Sequence, residues 1–136
     1  MSSDVQTTSK GRLWAGRIIG GLPALFLLMD AIMKLVKPPF VVAETVRIGY
    51  PEGVIIGLGV VLLASTILYL IPQTSVLGAI LLTGYLGGAV ATHVRFPEGW
   101  FPIVFPVIVG VLLWAGLWLR DGRLQKLIPL RSQLAV

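Results

Sequence analysis

The chain has 136 residues, 56% of them hydrophobic and 12% charged, with a net charge of +5. A soluble domain carries about 25% charged residues, so this composition excludes a water-soluble globule and points to a one-domain integral membrane protein. With no cysteine and one histidine, His93, the chain is excluded from disulfide, thiolate, iron–sulfur, c-type haem and bis-histidine haem chemistry.

A single domain of this length leaves no room for a separate soluble catalytic or nucleotide-binding unit. The six acidic residues show no Glu-x-x-His spacing, which argues against a metal cluster. The basic residues flank apolar spans and do not interleave with aromatics, so nucleic acid is not the expected partner; the lipid bilayer is.

Residues 1–12 are polar and read as a disordered tail ending in Lys10 and Arg12. The first apolar span covers about residues 16–36. Asp30 and Lys34 interrupt it and no small-x-small site follows, so it is read as a retained span, not a signal peptide. Pro38-Pro39 ends it, because proline lacks a donor N–H. In residues 40–52, apolar Val41, Val42, Val46 and Ile48 recur beside Glu44 and Arg47, which predicts a short amphipathic helix in the first outer loop.

From Gly53 to Thr92 there are 40 residues without a charge or histidine. As helix this run is about 60 Å long, two crossings of a roughly 30 Å hydrocarbon core. Pro72-Gln73-Thr74 divides it into spans at about 53–71 and 75–94, joined as a tight antiparallel hairpin. A fourth span covers about 101–119, with Pro102 in its first turn and Pro106 set to bend it. Residues 122–136 form a basic tail in which Leu124, Leu127 and Ile128 predict a short amphipathic helix ended by Pro129. The fold class is therefore all-α: a membrane-embedded four-helix bundle over residues 13–121.

Four crossings bring both termini to one side. Seven basic residues flank that side (Lys10, Arg12, Arg17, Arg120, Arg123, Lys126 and Arg131) and four flank the other (Lys34, Lys37, Arg47 and Arg95). The positive-inside rule then puts both termini in the cytoplasm. Trp14, Trp114 and Trp118 read as anchors of the inner interface and Trp100 of the outer one. Gly16 with Gly20, Gly53 with Gly57 and then Gly59, and Gly84, Gly87, Gly88 and Ala91 read as helix-packing positions.

Ionisable groups within a span are costly and tend to face a bundle interior or a wet cavity. Asp30 and Lys34 are four residues apart on one face and can pair, and Lys37 extends that face. Tyr85, Thr92 and His93 share a face of the third span, and Arg95, Glu52 and Tyr50 fall at the same membrane level. The expected ligand-binding set is Asp30, Lys34, Glu52, Tyr85, Thr92, His93 and Arg95, grouped in an outer-half pocket.

The segments GRIIGGLPALFLLMDAIMKL (16–35), LYLIPQTSVLGAILLTGYLGGAVATHVR (68–95) and FPIVFPVIVGVLLWAGLWLRD (101–121) resemble the DoxX-like family of small four-helix membrane proteins, over about residues 13–130. The residues carrying the resemblance include Asp30, Lys34, Tyr85, His93 and Arg95. Some relatives are subunits of a thiosulfate:quinone oxidoreductase, others accompany membrane redox enzymes, and one assists receptor assembly. The resemblance implies an accessory or subunit of a membrane redox system in a bacterial inner membrane. Its ligand would be a quinone or other small amphiphile, with no built-in cofactor, and its partners a redox protein or further copies of itself. A non-catalytic assembly factor and a small oligomeric transporter are the alternatives.

Overall fold

The computed structural model describes residues 9–131, so residues 1–8 of the expected N-terminal tail and 132–136 of the basic tail lie outside it. Four long helices dominate: α1 (Lys10–Val36), α3 (Ile55–Leu70), α4 (Ser75–Arg95) and α5 (Phe101–Arg120). A short helix α2 (Pro39–Arg47) follows α1, and a single turn α6 (Gly122–Gln125) follows α5. All four long helices, two of them with a preceding 3-10 turn, are long and apolar enough to cross a membrane.

α1 starts earlier than its hydrophobicity suggests. Ser9 caps it, its hydroxyl accepting from the Arg12 N–H at 3.2 Å. Lys10 and Arg12, read as tail, therefore belong to a 27-residue helix about 40 Å long. Its far end closes at Lys37, which takes a left-handed conformation (φ 58°) and donates its N–H to the Met33 carbonyl. Lys37 thus leaves the helix and does not extend the Asp30–Lys34 face.

The long helices form a ring in the order α1, α3, α4, α5 and back to α1. Neighbours are antiparallel: Gly16 meets Arg120 while Phe26 meets Phe105 across α1 and α5, and Gly59 meets Leu35 while Gly20 meets Tyr69 across α1 and α3. The core is a column of buried Leu27, Leu62, Leu82, Leu86, Leu113 and Leu117 with Tyr69.

Small residues set the closest approaches, since lipid supplies no hydrophobic drive between helices. A Cβ on Gly116 would lie 2.4 Å from the Gly20 nitrogen and 2.8 Å from the Gly16 carbonyl oxygen. A Cβ on Gly78 would lie 2.2 Å from the Tyr69 nitrogen. Gly16, Gly20 and Gly59 therefore pack as expected. Gly53, Gly57, Gly84, Gly87 and Gly88 do not: each faces open space. The glycine that seats α4 on α3 is Gly78, which spacing alone did not single out.

The Pro72–Thr74 turn joins α3 to α4 as expected. Its hydroxyls are used locally, Thr74 donating to Leu68 O at 2.7 Å and Ser75 to Tyr69 O at 2.7 Å. Pro106 is buried within α5, which runs unbroken from Phe101 to Arg120. The C-terminal helix is shorter than predicted. Asp121 caps it by accepting from Arg123 N at 2.9 Å, but it ends at Gln125, leaving Leu127 and Ile128 exposed beyond it. There the Trp118 indole donates to the Ile128 carbonyl at 2.9 Å and holds the segment back against α5.

Candidate functional site

A cavity of about 400 Å³ opens at the end of the ring where α1 and α4 finish. Such a volume lies within the range of small-molecule sites. Five of the seven expected residues line it: Asp30 and Lys34 from α1, and Tyr85, Thr92 and His93 from α4. The helical repeat explains this, since four-residue steps keep each set on one face of its helix.

Lys34 donates to both Asp30 carboxylate oxygens, at 2.9 and 2.8 Å, which leaves one ammonium N–H for another acceptor. Thr92 donates to its own helix at Gly88 O, 2.8 Å away. Its oxygen lies 2.6 Å from the Tyr50 hydroxyl, so with the Thr92 proton already engaged Tyr50 is the donor of that pair. The Nδ1 of His93 is buried and has no hydrogen-bond partner among the described residues. A buried polar atom left unpaired costs about 1–3 kcal/mol, so it marks a place where a further group belongs.

The other two residues stand apart. Arg95 lines a small side pocket of about 30 Å³ beside Tyr50 and Thr92. Glu52 lines neither cavity; it lies 3.6 Å from Lys37, whose departure from α1 carries its ammonium to that rim. The roof was not anticipated as part of the site. Thr45 and Ile48, in and just after α2, line the cavity over Leu58, Gly84 and Gly88. The open glycines of α4 give the cavity its width, a role their spacing left indistinguishable from packing.

Arg47 ties this roof down. It donates to Glu44 on its own helix, at 2.5 Å, and to Glu98 in the loop before α5. The Glu98 carboxyl is held below the usual carboxylate range by the hydrogen bonds from Arg47, and the guanidinium is pushed up by the same contacts. At this end the basic and acidic residues balance: Lys34, Lys37, Arg47 and Arg95 against Asp30, Glu44, Glu52 and Glu98.

At the opposite end Tyr69 is fully buried. It donates to Leu113 O at 2.6 Å and accepts from Arg120 at 3.0 Å, and Arg120 also holds Gly116 O at 3.0 Å. Arg120 looked like a simple flanking charge in the sequence, and Tyr69 had no role there. Together they tie α3 to α5. Among the described residues no three His, Asp or Glu side chains stand together as a metal site.

Four long apolar helices around a one-ended polar cavity define an all-helical, multi-spanning membrane protein. The chain belongs to the DoxX-like family, whose model matches residues 18–116, from the end of the first third of α1 to one turn before the end of α5. No curated protein and no solved structure matches it.

Proposed function

We propose that the cavity receives the polar head of a quinone-like or other small amphiphile, and that the chain serves as an accessory or subunit of a membrane redox system. The observation that carries this reading is the unpartnered, buried His93 Nδ1 in a cavity that also holds the Asp30–Lys34 pair. A quinone head has two carbonyl acceptors. The remaining Lys34 N–H suits one, and the His93 ring, with Nδ1 protonated, suits the other. Leu58, Gly84 and Ala89 offer apolar wall to the ring between them. Asp30 positions Lys34 and is a proton acceptor beside it. Arg95 and Glu52 contribute charge at the rim in this reading and touch no ligand.

Quenching of tryptophan fluorescence by a short-chain benzoquinone analogue tests the reading. His93→Ala is expected to weaken binding about tenfold, the worth of one hydrogen bond of ordinary strength. Thermal unfolding in detergent should change little, because the lost nitrogen has no protein partner. Equal quenching in wild type and variant, or no quenching in either, would remove the quinone reading.

Conduction through one copy is disfavoured. The Ser65 and Thr66 hydroxyls donate within their own helix, each at 2.7 Å, and Leu62, Leu82 and Leu113 fill the centre of the ring. One observation favours the assembly-factor reading instead: Gly53 and Gly57 present bare backbone to open space, where a partner helix can approach. Cross-linking from position 57 to another protein, with no small molecule bound, would select it.

The orientation belongs to the same proposal. With seven basic residues beside the termini and four beside the cavity, both termini are cytoplasmic and the cavity opens on the outer face. Reporter fusions after Val136 and within the loop at Gly99 should give opposite signals, the first cytoplasmic. The reverse pattern would turn the molecule over.

A further inference from the structure

We propose that the outer face of the α4–α5 pair is a binding site for one anionic glycerophospholipid, its acyl chain in the groove and its phosphate at the terminal end of the molecule. The groove encloses about 630 Å³ and is separate from the polar cavity. Its floor and walls are apolar: Leu86, Gly87, Val107, Gly110, Trp114 and Trp118. Its polar side chains are satisfied, the Trp114 indole donating to Thr83 Oγ1 at 2.7 Å and Thr83 to Ala79 O at 2.7 Å. It therefore has nothing to offer a polar ligand along its length.

Its dimensions fit a lipid chain. From Pro106 to Trp118 the groove follows α5 for twelve residue steps, about 18 Å. That is close to one leaflet of a hydrocarbon core roughly 30 Å thick. Glycines at positions 87 and 110 keep it open, and Leu124, Ile128 and Pro129 line its mouth at the terminal end.

The charge at that end selects the headgroup. The described residues there include Lys10, Arg12, Arg17, Arg120, Arg123, Lys126 and Arg131, against one acid, Asp121. The other end of the molecule is balanced, four against four. Two of these cations flank the groove's mouth. Arg12 lies over the Trp118 ring, 5.3 Å from its centre, and Arg123 adjoins Leu124 and is almost fully exposed. Arg123 lies 3.9 Å from Asp121, but that carboxylate is already engaged in capping α6. A phosphate at the mouth meets arginines suited to bind it, and its chain runs down the apolar groove.

The test is native mass spectrometry of the purified protein exchanged into phosphatidylglycerol or phosphatidylethanolamine of identical acyl chains. Wild type should retain phosphatidylglycerol in preference. Arg12→Gln and Arg123→Gln should each reduce that preference about fivefold, the scale of one basic side chain near an anionic surface. Lys37→Gln, at the opposite end of the molecule beside Glu52, should leave it unchanged. Gly87→Leu, where a side chain meets open space, should abolish retention of both lipids without unfolding the protein. Equal retention of the two lipids, or retention unaffected by Gly87→Leu, overturns the proposal. So does a dimer that Gly87→Leu dissociates, since a second copy would then be the occupant.

Discussion

Gly116→Ala is expected to destabilise the protein severely, whereas Gly57→Ala is expected to leave it unchanged or slightly stabilise it. Both glycines lie in apolar transmembrane helices, and helix propensity favours alanine by about 1 kcal/mol at either. The difference is what the new methyl meets. At Gly57 it meets nothing within 4 Å; at Gly116 it meets the Gly20 nitrogen and Cα at 2.4 and 2.5 Å. Those are backbone atoms of a helix and cannot rotate aside, so α1 and α5 must separate. Overpacking of this kind costs about 1–3 kcal/mol and sometimes more. Moving α5 away from α1 also shifts it against α3, where Arg120 donates to Tyr69. Thermal unfolding in detergent reads both variants, and a Gly116→Ala melting point at or above that of Gly57→Ala would show that the α1–α5 approach is not as close as described.

The second large effect concerns the ion pair. Asp30→Ala is expected to impair folding or ligand binding more than Asp30→Ala combined with Lys34→Ala. Lys34 donates to both oxygens of Asp30, and its side chain is only 16% exposed. Removing the carboxylate leaves an ammonium in a low-dielectric site with no counter-charge, which costs up to about 3–5 kcal/mol for a fully buried pair. Asp30 is 38% exposed, so the cost here falls below that range. Removing both charges avoids the penalty. Stability measured across the four-member cycle should show a large favourable coupling. If the single effects simply add in the double variant, the two side chains act independently.

The four crossings were legible because apolar run length is a one-dimensional signal: nothing else needs such stretches without charge. The Asp30–Lys34 pair and the shared face of Tyr85, Thr92 and His93 were legible for a related reason, since residues three, four, seven or eight apart on a helix fall on one side. What could not be read was which apolar face looks inward. In a soluble helix the polar side marks the outside. In a membrane both sides are apolar, so Gly57 and Gly59 look alike in sequence although one faces open space and the other Ala31, Lys34 and Leu35. Gly78 and Tyr69 escaped notice for the same reason. Their importance lies in a backbone contact and in a hydrogen bond to Leu113, 44 positions away. The roof over the cavity depends on α2 folding back toward α4, fixed by Arg47 and Glu98, which are 51 residues apart.

The hairpin of α3 and α4 has a consequence for how the chain enters the bilayer. Its turn carries no lysine or arginine, and Thr74 and Ser75 direct their hydroxyls onto carbonyls that the turn would otherwise leave bare. The turn lies at the Arg120 end of the ring and offers no charge that would fix the hairpin's direction. The two helices can go in together as a preassembled wedge. Their direction is inherited from the basic flanks of α1 and α5, and Gly78 pressed against Tyr69 lets the wedge pack tightly.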